Sequence, residues 1–95
     1  PSEELSRILR VHATAFSDAR VIGEAFREGT PVILDLTDVS YEEARRLVDF
    51  AAGLTFGLRG VLESVTDRVF LLSPKNVEIP GEAMGARRGA LYNQG

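Results

Sequence analysis

Side chains able to do chemistry are few in this chain, and they are scattered. His12 is the sole histidine, and no serine or cysteine nucleophile motif accompanies it, so a surface or core role suits it best. Cysteine is absent, which removes disulfides, thiol catalysis and cysteine-based zinc sites. Asp35 and Asp38 stand at the end of an apolar run, where open α/β sheets place ligands, and an acid pair there suits Mg²⁺. The supporting lysine and third acid of a phospho-acceptor site cannot be picked out by spacing, however, and Asp38 beside a helix start is more simply a turn or cap residue. The glycine run GLTFGLRG (53–60) lacks the GK[ST] ending of a phosphate loop and closes a helix instead of opening one. The expectation is no catalytic residue, no metal and no cofactor.

The segment RVFLLSP (68–74) is a buried strand by composition, and Phe70 is most simply core. On an alternating strand Arg68, Phe70 and Leu72 share one face, opposite Val69 and Leu71. A cation beside an aromatic suits an acidic, apolar peptide from a partner.

These residues need elements to position them. Residues 5–11 read as a short strand through Leu5, Ile8, Leu9 and Val11. A helix follows over 18–28, capped by Ser17, with Phe16 and Val21 as its hydrophobic staple and Gly29 as its stop. TPVILDLT (30–37) is a run of branched residues expected as a central strand covered on its faces. The second helix has the strongest local signal: Ser40 and Glu43 as a capping box, Val39 and Ala44 as a staple. Its inner face is read as Ala44, Leu47, Val48, Ala51, Leu54, Thr55 and Leu58. Strands over 60–65 and 68–72 flank a turn at Thr66 and Asp67, a short edge strand is expected over 76–79, and weak helical character over 82–88.

The order β-α-β-α-β-β predicts a two-layer α/β sandwich, with both helices on one face of a mixed four- to five-stranded sheet. From 50 to 58 the second helix is apolar on every side, and such a helix is buried on every side. One side meets the sheet; the other is expected to meet a second copy of the chain through Phe50, Gly53, Leu54, Gly57 and Leu58, the glycines allowing close approach.

A length of 95 residues suits a single domain over 1–95, with a frayed start at 1–4 and a C-terminal tail at 81–95. A net charge of −3 argues against nucleic-acid binding, which needs a basic footprint. No apolar run reaches the roughly 20 residues that span a bilayer. The chain starts at Pro1 instead of Met, as a trimmed piece would.

Taken together, FREGTPVILDLTD (26–38), RRLVDFAAGLTFGLRG (45–60), RVFLLSP (68–74) and YNQG (92–95) resemble the C-terminal domain of the SepF family of bacterial cell-division proteins, with an actinobacterial flavour. The resemblance implies a non-enzymatic adaptor at the division site, on the cytoplasmic face of the membrane. It implies a homodimer that binds the C-terminal tail of the tubulin-like protein FtsZ, and membrane attachment through an N-terminal amphipathic helix that this chain lacks. The family's aromatic tail contact falls on Phe70, with Arg68, Ser64 and Leu72 around it. Where family members carry a pattern like EKVTNRVF, this chain reads ESVTDRVF (63–70). Ser64 thus replaces a lysine and Asp67 a neutral residue, leaving the site less cationic. Two alternatives stay open. One is a diverged SepF-like protein with another partner. The other is a STAS-like anti-sigma-factor antagonist phosphorylated at Ser40, a residue its capping role already explains.

Overall fold

The computed structural model describes residues 7–75 and 90–92. The expected frayed start, edge strand over 76–79 and helical stretch over 82–88 lie outside the described residues. Within them run β1 (Leu9–His12), a 3-10 turn (Phe16–Asp18), α1 (Ala19–Arg27), β2 (Val32–Asp35), α2 (Tyr41–Gly57), β3 (Val61–Thr66), β4 (Val69–Ser73) and β5 (Ala90–Tyr92). The strands form one sheet in the order β1-β2-β4-β3-β5. β1 and β2 are parallel, and every other pairing is antiparallel. This is the mixed α/β sheet the pattern predicts, with β4 in the middle and β2 beside it. β5 falls in the stretch read as tail; three residues are too short a run for alternation to mark.

One apolar cluster joins the layers. Ile22 and Phe26 of α1 and Leu47 and Ala51 of α2 meet Val11, Val32, Leu34, Leu62 and Leu72 of the sheet. Leu71, Glu63 and Ser73 are also buried, on the alternate positions that face away from the helices.

α1 begins differently from its expected cap. Ser17 lies inside the 3-10 turn, and the residue before α1 is Asp18. The Asp18 carboxylate reaches back to accept from the N–H groups of Thr14 (2.9 Å) and Ala15 (3.3 Å). Val21 is 49% exposed, so it makes no staple with Phe16. The Phe16 ring instead meets Phe50 edge-on at 6.4 Å and lies beneath the Arg46 guanidinium at 4.0 Å. Gly29, at φ 92°, ends the helix as expected.

At α2, Ser40 Oγ accepts from the Glu43 N–H at 3.1 Å, the first half of the capping box. The second half is diverted: Glu43 Oε1 accepts from the Phe16 N–H at 2.7 Å. One carboxylate therefore ties the start of α2 to the entrance of α1. Leu47, Ala51 and Thr55 are the buried face. Leu58, expected on that face, is 42% exposed, because it follows the helix as its C-cap.

Asp35 locks the end of β2. Its Oδ1 accepts from the Thr37 hydroxyl (2.7 Å) and N–H (3.0 Å). Those bonds, then His12 and Arg10, hold its pKa down at about 2 from 3.8. A depressed carboxylate pKa contributes stability above the unfolded value that is lost as pH falls through the folded one. Unfolding free energy should thus decline between about pH 4 and pH 2, and Asp35→Asn should flatten that decline in acid titrations followed by circular dichroism. An identical slope in the variant would remove Asp35 from this role.

Gly60 is demanded by close approach. A Cβ there would sit 2.5 Å from both the Phe26 ring and the Ser73 carbonyl oxygen. Gly60→Ala should cost about 1–3 kcal/mol, seen as a lower urea midpoint; an unchanged midpoint would refute the steric account.

Candidate functional site

The seam between α2 and the β3–β4 turn is open. A groove of about 410 Å³ lies there, lined by Leu36, Tyr41, Ala44, Arg45, Val48, Asp67, Arg68 and Phe70. Helical spacing aligns Tyr41, Ala44, Arg45 and Val48 along one edge of α2, and β4 supplies Phe70. The antiparallel register sets Phe70 opposite Leu34 on one side and Ser64 on the other. A register shift between Ser64 and Thr66 marks a bulge in β3, a device that bends a strand end and re-aims its turn.

Arg68 frames the groove beside the β3–β4 turn. Its Nη1 donates to the Leu36 carbonyl at 2.7 Å, and its own carbonyl accepts from the Leu36 N–H at 2.8 Å. Part of the guanidinium's hydrogen-bonding capacity is thereby used inside the protein. Arg45 is exposed on the α2 side and Asp67 on the turn. The groove is therefore an apolar floor with two cations and one anion at its edge. Such a surface suits an extended peptide with an apolar anchor and acidic neighbours.

The residues singled out from sequence separate here. Phe70 and Arg68 line the groove. Leu72 is fully buried in the core, and Ser64 is not among the lining residues; its hydroxyl donates to the Thr66 carbonyl at 2.9 Å. Sequence reasoning missed Leu36, Tyr41, Ala44, Arg45 and Val48 as site residues. Ala44 and Val48 read as inner-face positions of the second helix.

The acid pair is engaged by other side chains. His12 Nε2 lies 2.8 Å from Asp38 Oδ2 and His12 Nδ1 lies 3.3 Å from Asp35 Oδ2, with Arg10 Nη2 3.5 Å from the same Asp35 oxygen. Among the described residues no group of three or more His, Asp and Glu side chains is arranged to hold a metal ion.

The residues expected to meet a second copy also divide. Phe50 and Leu54 are half-buried and pack against the core, Phe50 lying where a Cβ on Gly23 would come within 3.2 Å of its ring. Gly53, Gly57 and Leu58 are exposed, and so is Phe56, at 66%. A Cβ on Gly53 or Gly57 would touch nothing within 4 Å among the described residues. Among the described residues no helix is long and apolar enough to cross a membrane.

Comparisons with known proteins agree on one relationship. The family model described as cell division protein SepF matches residues 8–79. Proteins named cell division protein SepF are 53% identical over 92 residues in Saccharopolyspora erythraea and 52% identical over 92 residues in Cutibacterium acnes, in each case over 96% of this chain. These matches cover 43% and 54% of the two relatives, so the chain spans about half the length of the curated relatives it matches. A solved SepF-like protein from Archaeoglobus fulgidus superposes with a TM-score of 0.69 at 13% identity, covering 77% of this chain and 90% of that one; the likeness is one of fold. With a family model over most of its length and relatives above half identity, the chain belongs to the SepF family of cell-division proteins.

Proposed function

We propose that this chain is a non-enzymatic division adaptor, one domain over 1–95, whose groove takes the C-terminal tail peptide of FtsZ. The observation that carries the reading is the apolar floor around Phe70, set between α2 and the β3–β4 turn and flanked by Arg45 and Arg68. Membership of a cell-division family supplies the partner class. A pocket of this size accepts one or two apolar side chains, and charges at its edge then set orientation and encounter rate. Attachment to the membrane belongs to an N-terminal segment preceding the present residues, which would place the adaptor on the cytoplasmic face at the division site.

Two copies would pair through the outward stripe of α2, where Gly53, Phe56, Gly57 and Leu58 are exposed. Membership of the SepF family sets the STAS-like reading aside, and Ser40 is accounted for as the α2 cap.

Calorimetric titration with the FtsZ tail peptide of the same organism should give saturable binding near one peptide per protomer. Phe70→Ala should weaken it at least about tenfold. Asp67→Asn, which removes an anion from the edge, should tighten it by about two- to fivefold and steepen its salt dependence. A folded domain that binds no tail would point to a different partner, and an unaltered dissociation constant in Phe70→Ala would remove that ring from the site.

Pairing has a separate test. A Cβ at Gly53 meets nothing within 4 Å among the described residues, and arginine improves helix propensity, so Gly53→Arg should leave circular dichroism intact while light scattering after gel filtration falls from dimer to monomer mass. A dimer of unchanged mass would exclude Gly53 from the interface, and a monomeric parent chain would overturn the paired state.

A further inference from the structure

His12 ends β1 with its ring held between two carboxylates, 2.8 Å from Asp38 Oδ2 and 3.3 Å from Asp35 Oδ2. A neutral imidazole has one N–H, so it donates to one acid and turns a lone pair toward the other; only the imidazolium donates to both. The two acids bracket Leu36, whose N–H and carbonyl both bond Arg68 and whose side chain lines the groove. His12 therefore grips the segment that forms one wall of that groove.

We infer that His12 is a positioning residue for the groove: as the imidazolium it bonds both Asp38 and Asp35 and holds the 36–40 turn in its peptide-receiving geometry, and as the neutral ring, uncharged and with one N–H for two acids, it loosens that turn. The inference rests on the peptide-binding reading of the groove.

Among the described residues, the charged groups bonded to this site come from three places. Asp35 lies on β2, Asp38 on the turn, and Arg10 on β1 itself, bonded to Asp35 and opposing the His12 cation. Thr37 anchors Asp35 independently through Oδ1, so the charge and the second N–H that protonation adds to His12 matter most to how firmly Asp38 is held. The hydrogen bonds to Asp35 and then Asp38 raise the His12 pKa above 6.5, toward neutral pH. A raised histidine pKa gives an interaction complete below the unfolded value and lost as pH rises through the folded one.

With one histidine in the chain, its ring resonances report the titration directly. The midpoint in the free domain should lie above about 6.5 and fall in Asp38→Asn. Saturation with the tail peptide should raise it by about half a pH unit, which by reciprocal linkage means about threefold tighter binding near pH 6 than near pH 8. His12→Gln should keep the fold and flatten that pH profile. Equal midpoints in the free and peptide-bound domain, or a pH profile retained in His12→Gln, would overturn the inference. Absence of peptide binding at either pH defeats the adaptor reading instead. The wall is then judged in the free domain, where exchange protection of the Leu36 amide must rise as His12 protonates and lose that dependence in His12→Gln. Protection that ignores the His12 titration overturns the inference there too.

Discussion

The closeness with which α2 lies on the sheet governs the rest of this structure. Its buried face is Leu47, Ala51 and Thr55, and two of the three are small enough to let the helix settle deep. Thr55 is polar yet fully buried. Its hydroxyl lies 2.8 Å from the Ala51 carbonyl and 3.1 Å from that of Ala52, so burial leaves no unmet donor. Once that face is fixed, the others follow. Phe50 is pressed toward the space left by Gly23, Val48 and Ala44 form one side of the groove, and Gly53 and Phe56 are turned outward. A larger side chain at Ala51 would lift the helix and disturb the α1 contact and the groove together, since close-packed interiors transmit such changes.

The segment from Asp35 to Ser40 does the complementary work from the loop side. Asp35 is tied to Thr37, Leu36 to Arg68, Asp38 to His12, and Ser40 caps α2, while Val39 is buried beneath. Polar side chains that suggest chemistry in a linear reading are here spent on holding a short connection between an interior strand and the principal helix. Loops that carry binding surface need such support when few apolar contacts are available to them.

Much of the fold was legible because its signals are local. The branched run at 32–35, the Ser40 cap and the Gly29 stop each report their element directly. The start of α1 was not legible, because Asp18 turns back to the preceding residues in place of the Ser17 cap, and Glu43 reaches across from another helix, a bond that nearby spacing does not report. The site was half visible. Phe70 and Arg68 stand on a strand with a readable face, whereas Tyr41, Arg45 and Val48 join them only through the seating of α2, a tertiary fact. The His12 bridge spans 26 residues to Asp38, which no spacing rule addresses.

Charge constrains what the groove can achieve alone. The chain carries a net −3, so its overall field does not draw in an acidic peptide, and attraction must come from Arg45 and Arg68 at short range. Asp67 stands against them, and Arg68 already shares its guanidinium with the Leu36 carbonyl. A single groove of this kind is suited to modest affinity carried by the apolar contact at Phe70. In the proposed pair the picture changes without any new contact. Arg45 lines the groove and Phe56, about three helical turns further on, falls on the same side of α2, so the outward stripe borders the groove, and two grooves would sit close to one shared interface. A filament displaying many tails then offers the second groove a high effective concentration, and weak sites become firm attachment that still exchanges. If the chain is the proposed adaptor, that combination suits a remodelling filament better than one tight site, whose slow release would hold subunits in place.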